Sequence, residues 1–151
     1  MKKALLSTAF LLMLPFAIVA MSSTPASASS DAMAPAATEA EALECGAEDA
    51  VAGKKVYKKC AACHVVNKEK NKVGPHLVGL FGRKAGSVEG YRYSKAFKQA
   101  NADGLVWNAK TLDEFLEKPK KMIPKTKMPF RGLKKENQRN ALLCYIQSVN
   151  G

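Results

Sequence analysis

The sequence predicts an all-α domain of about four to five short helices. Apolar residues recur at helical spacing in separate stretches, near positions 51–60, 112–116 and 142–146. No stretch alternates apolar and polar residues as a half-buried strand would. The candidate helices also carry their own start and stop residues.

In chain order, Glu48 and Asp49 suit the first helix, because carboxylates oppose the positive end of its dipole. Val51, Val56, Tyr57 and Cys60 form its apolar stripe. Gly53 inside that helix costs about 1 kcal/mol against alanine, which points to close approach by another helix. Residues 65–90 carry Asn67, Asn71, Gly74, Pro75, Gly79, Gly82 and Gly86 and read as loop. A loop that long in a small domain requires something else to organise it. Ser94 caps a short helix through Ala100, and Asn108 caps another with Leu112, Phe115 and Leu116 as its stripe. Pro119 ends that helix. Residues 120–123 form one turn before Pro124, and the last helix runs from Lys135 to Ser148 with Leu142, Leu143, Tyr145 and Ile146 inward. No internal repeat is present.

The 151 residues make room for one ordinary domain. Residues 1–28 read as a signal peptide, with Lys2 and Lys3, an apolar run over 4–20 and an Ala26-Ser27-Ala28 cleavage site before Ser29. A retained anchor is the alternative, since the apolar run has about the length that marginally spans a bilayer. Residues 29–43 read as an acidic Ala/Ser/Pro-rich spacer too poor in apolar residues to build a core, and residues 44–151 as the domain. Export implies a periplasmic location and permits disulfides.

The formal charge is +11, and +9 without Lys2 and Lys3. Residues 29–52 hold six carboxylates and no Lys or Arg, so the remainder carries +15. A basic body favours acidic partners. Nucleic acid is inaccessible to an exported chain, which leaves acidic patches on membrane redox complexes, with membrane contact only through them. A monomer is expected.

Cys60-Ala61-Ala62-Cys63-His64 is the attachment signature for c-type haem. Two cysteines three apart lie on one face of a helical turn, where each thiol can add to a vinyl group as a thioether. The adjacent imidazole then reaches the iron. A zinc site would need four ligands, and no second Cys pair exists at suitable spacing. A redox dithiol belongs in a βαβ pattern, which is absent here. Cys45 and Cys144 remain, an even number that points to one bridge; two free thiols are the alternative. An iron that carries electrons needs a sixth ligand besides His64. His76 is near in sequence, while Met122 and Met128 lie on the basic loop downstream, and thioether sulfur raises the potential.

From Gly53 to Val149 the chain resembles class I c-type cytochromes, the group of mitochondrial cytochrome c and bacterial cytochrome c2. The matching stretches are Gly53-Lys54-Lys55-Val56-Tyr57, the haem motif, Gly74-Pro75-His76-Leu77-Val78-Gly79-Leu80-Phe81-Gly82-Arg83, Gly90-Tyr91-Arg92-Tyr93-Ser94, Trp107, Leu116-Glu117-Lys118-Pro119-Lys120-Lys121 and Pro124-Lys125-Thr126-Lys127-Met128. The resemblance implies a single domain wrapped around one haem c, held by thioethers at Cys60 and Cys63, with His64 and Met128 as axial ligands. It implies that the Pro75 carbonyl accepts from the His64 ring, and that Arg83, Tyr91, Tyr93, Ser94, Trp107 and Thr126 surround the propionates. Gly53 and Tyr57 would meet Leu142 and Tyr145 where the first and last helices cross. The implied activity is one-electron transfer, not enzyme catalysis, with cytochrome bc1 and a terminal oxidase, or a dehydrogenase or photosynthetic reaction centre, as partners. Lys55, Lys59, Lys72, Lys120, Lys121, Lys127, Lys134 and Lys135 match or flank the ring of lysines around the exposed haem edge. An open-site haem enzyme and a ligand sensor are the rival readings, and Met128 discriminates against both. The chain departs from the family in Phe115, where a tyrosine is usual, in His76, where asparagine is common, in about three extra residues between Tyr93 and Trp107, and in the Cys45/Cys144 pair.

Overall fold

Five helices follow one another in the computed structural model, which describes residues 43–150: α1 Ala47–Tyr57, α2 Lys95–Ala102, α3 Ala109–Glu117, α4 Pro119–Met122 and α5 Glu136–Asn150. Among the described residues the sole β-type pairing is an isolated antiparallel bridge between Lys84 and Val106. The expected signal peptide, and the spacer up to residue 42, lie outside the described residues. No described helix is long and apolar enough to cross a membrane.

The helix starts follow local chemistry. Ser94 Oγ accepts from the Phe97 amide at 3.3 Å, and Asn108 Oδ1 accepts from the Thr111 amide at 2.8 Å, each satisfying a donor that the first turn leaves free. Pro119 both stops α3 and opens α4 as its first residue, a position where proline's missing N–H costs nothing. The α5 helix continues to Asn150, two residues past the expected end.

The scaffold is the crossing of α1 and α5. Gly53 is buried in the contact. A Cβ there would collide with the Ala141 carbonyl and stand 2.7 Å from Tyr145 Cβ, so the α5 backbone at Ala141 lies directly beneath the glycine. The Tyr57 and Tyr145 rings pack beside it with centroids 5.3 Å apart. Val51 departs from the expected stripe: it is 62 % exposed. Positions two apart lie about 200° around a helix, so turning Gly53 inward turns Val51 outward. Next to this crossing the Cys45 and Cys144 sulfurs lie 2.10 Å apart, with their Cα atoms 5.5 Å apart. Arg139, buried near the start of α5, donates to Asp113 on α3 at 2.5 Å and to the Leu133 carbonyl at 3.0 Å. That ties α5, α3 and the loop between α4 and α5 together. The core comprises Val66, Leu80, Ala85, Trp107, Leu112, Phe115, Ile123, Leu133, Leu142, Leu143 and Ile146.

Candidate functional site

The chain leaves α1 in a further tight turn. The Cys60 and Ala61 amides donate to the Tyr57 carbonyl at 2.8 and 3.0 Å, and the Cys63 and His64 amides donate to the Cys60 carbonyl at 3.0 and 2.9 Å. This wraps the five-residue motif into one helical turn and puts both sulfurs and the imidazole on the wall of a single cavity of about 430 Å³. Burial pushes the Cys60 thiol up to about 11, with Lys59 pulling it down.

His64 is held from three sides. Its Nδ1 lies 2.7 Å from the Pro75 carbonyl, which can only accept, so Nδ1 carries the proton and Nε2 keeps its lone pair. The Tyr57 hydroxyl donates to the His64 carbonyl at 2.8 Å. A Cβ at Gly74 would strike the imidazole ring, so only glycine permits this approach. Burial pushes the His64 pKa down, the Pro75 hydrogen bond opposes it and Lys72 assists it. The result is a neutral imidazole, the form that binds a metal.

Arg83 supplies the charge. Its guanidinium donates to the Val78 carbonyl at 2.6 Å and the His76 carbonyl at 3.0 Å. Burial lowers its pKa, with Tyr93 opposing. Among the described residues the ion pairs are Lys118–Glu117 and Arg139–Asp113, so this half-buried cation has no carboxylate and faces a cavity suited to an anion. Tyr93, Ser94, Trp107 and Thr126 line the same cavity. The Tyr93 hydroxyl accepts from the Val88 amide at 3.4 Å and keeps its own proton to donate; burial raises its pKa. Ser94 and Thr126 likewise accept backbone amides, from Phe97 and from Met128 at 3.2 Å, and retain a donor each. Tyr91 lines the cavity too, but its hydroxyl donates to the Val73 carbonyl at 2.7 Å, so it contributes its ring.

Of the three candidates for a second ligand, only Met128 lines the cavity; Met122 and His76 do not. The remaining wall is apolar and comes from several elements, including Leu80, Phe97, Leu112, Phe115, Leu142 and Ile146. Phe97 escaped the sequence reading. It packs on Phe115 at 5.9 Å and Trp107 at 6.4 Å, and the only hint was its helical spacing to Ala100 after the Ser94 cap. Gly74 as the seat of His64 and the Tyr57 hydroxyl bond were missed as well.

The donor set fits a haem. Apolar walls suit the macrocycle, paired thiols suit its vinyl groups, the half-buried Arg83 guanidinium with hydroxyl and indole donors suits its carboxylates, and imidazole and thioether suit its iron. Zinc is not supported, since among the described residues no three His, Cys, Asp or Glu side chains gather to hold a metal ion.

Comparison with known proteins agrees. The family model described as cytochrome c matches residues 50–150. The chain is 52 % identical over 100 residues to cytochrome c2 of Afifella marina, covering 66 % of this chain and 81 % of that protein. It is 48 % identical over 99 residues to cytochrome c-550 of Ancylobacter novellus, covering 65 % and 92 %. It is 52 % identical over 101 residues to cytochrome c of Arabidopsis thaliana, covering 66 % and 88 %.

Proposed function

As a member of the cytochrome c family, this chain carries one covalently attached haem c and is an electron carrier, not an enzyme; we propose that it works with His64 and Met128 as the two axial ligands, shuttling between redox complexes in the periplasm. The observation that carries this reading is the convergence of Cys60, Cys63, His64 and Met128 on one cavity.

When bound, haem supplies an iron that gains or loses one electron. The chain does the rest. Cys60 and Cys63 anchor the group through thioethers. The Pro75 carbonyl fixes the His64 ring and raises its basicity by accepting a hydrogen bond from Nδ1–H. Arg83, Tyr93, Ser94, Trp107 and Thr126 offset the propionate charge in a buried place, with the Tyr91 ring beside them. With His64 and Met128 both holding the iron, the site would leave no open position for a substrate.

Lys55, Lys59, Lys72, Lys120, Lys121, Lys127, Lys134 and Lys135 are all exposed, and Lys59 and Lys127 stand at the cavity wall. They suit an acidic docking surface on a cytochrome bc1 complex, a terminal oxidase, a dehydrogenase or a photosynthetic reaction centre. Transfer rates to such a partner should fall as salt is added. Residues 1–28 would direct export, residues 29–43 would form a spacer, and the closeness of the Cys45 and Cys144 sulfurs supports a bridge in that oxidising compartment.

The test is the absorption of the ferric holoprotein. A weak near-infrared sulfur-to-iron band that disappears in Met128→Ala, together with fast cyanide binding by that variant alone, is expected. A wild-type protein without the band that binds cyanide at once would refute the ligand assignment.

A further inference from the structure

The loop that presents Met128 begins with a tight turn. Pro124 and Lys125 are its central residues, and the Thr126 amide closes it by donating to the Ile123 carbonyl at 3.2 Å. Lys125 has φ +61°, and among the described residues it is the one non-glycine with positive φ. Proline followed by a positive φ is the signature of a type II turn, whose third position favours glycine or asparagine because a Cβ there crowds the backbone. Lys125 is exposed, and among the described residues its side chain makes no ion pair that would compensate. The next links run straight to the ligand. Thr126 Oγ accepts from the Met128 amide at 3.2 Å, and the Phe130 amide donates to the Met128 carbonyl at 2.9 Å.

Resting on the assignment of Met128 as ligand, we propose that Lys125 is a strained hinge whose backbone sets how readily a small ligand displaces the thioether. Strain held in the closed loop is released when the loop opens, so the closed form is less favoured than the same loop with glycine. Lys125 acts here as a positioning residue. It has no part in electron transfer itself.

The apparent cyanide affinity of the ferric holoprotein, at fixed pH and ionic strength, tests this. Lys125→Gly should weaken cyanide binding about threefold, the size of effect that removing an incompatible backbone conformation produces. Lys125→Asn, which tolerates positive φ, should weaken it in the same direction. Lys125→Gln removes the same charge but leaves the strain, and should bind cyanide as the parent does. Equal affinities for the Gly and Gln variants would overturn the hinge, as would tighter binding by Gly. A parent protein lacking the sulfur-to-iron band would remove the ligand assignment and the hinge with it. A normal band with equal affinities would remove the hinge alone.

Discussion

Gly53→Ala sets two effects of opposite sign against each other. In an open helix the change stabilises by about 1 kcal/mol, because alanine loses less backbone entropy. Here the new Cβ would stand 2.6 Å from the Ala141 carbonyl carbon and 2.7 Å from Tyr145 Cβ, distances that real Cβ atoms do not show. The obstacle is helix backbone, which cannot rotate aside, so α1 and α5 must part. Overpacking of this kind costs about 1–3 kcal/mol. Loosening the Tyr57–Tyr145 pair, now 5.3 Å between centroids, removes up to about 1 kcal/mol more. The net expectation is a loss of about 2 kcal/mol. In a domain of this size that lowers the melting temperature by roughly 8–16 °C. Thermal unfolding of the holoprotein followed by circular dichroism reads it directly. A melting temperature equal to or above the parent's would show that propensity wins, and that the α1–α5 contact is not the scaffold described here.

Phe115→Tyr places a hydroxyl in the cavity wall beside Trp107, 5.1 Å between ring centroids. With Met128 as the proposed ligand, a new hydrogen bond to its sulfur should shift the reduction potential and strengthen its hold on the iron; voltammetry and cyanide affinity both unchanged would sink that idea. Burial raises the pKa of Tyr57 and of Tyr93, so the folded chain keeps those protons after the unfolded chain begins to lose them. Their contribution to stability is therefore complete below about pH 10 and lost as pH rises toward the raised values. Tyr93→Phe should flatten the alkaline fall in the denaturation midpoint, and an unaltered slope would contradict it. Replacing Cys45 and Cys144 together by serine should cost between about 1 and 4 kcal/mol. The upper figure is the chain-entropy value for their separation of 99 residues, reduced because haem already restrains the unfolded chain. An unchanged denaturation midpoint would argue against the bridge.

Local chemistry was the most legible part of the sequence. Ser94 and Asn108 cap where their side chains predict, because capping involves residues only three apart. The haem motif was legible for the same reason, since one helical turn contains it all. Val51 misled because the contact face of α1 is set by a glycine, a residue that carries no apolar signal. The cavity could not be read as a cavity. Its walls come from α2, α3, α5 and the loops, and nothing local to Phe97 or Leu112 says that they meet. The bonds of Arg83 to the Val78 and His76 carbonyls and of Tyr91 to the Val73 carbonyl depend on loop path, which composition does not encode. The strain at Lys125 was hidden too, because the sequence alone does not fix the sign of φ.

X-ray absorption at the iron edge of the purified holoprotein tests the central claim most directly. A first shell containing nitrogen neighbours and a single sulfur, with the sulfur lost in Met128→Ala, is the predicted result. A shell of nitrogen and oxygen alone, or a five-coordinate iron in the parent protein, would contradict it.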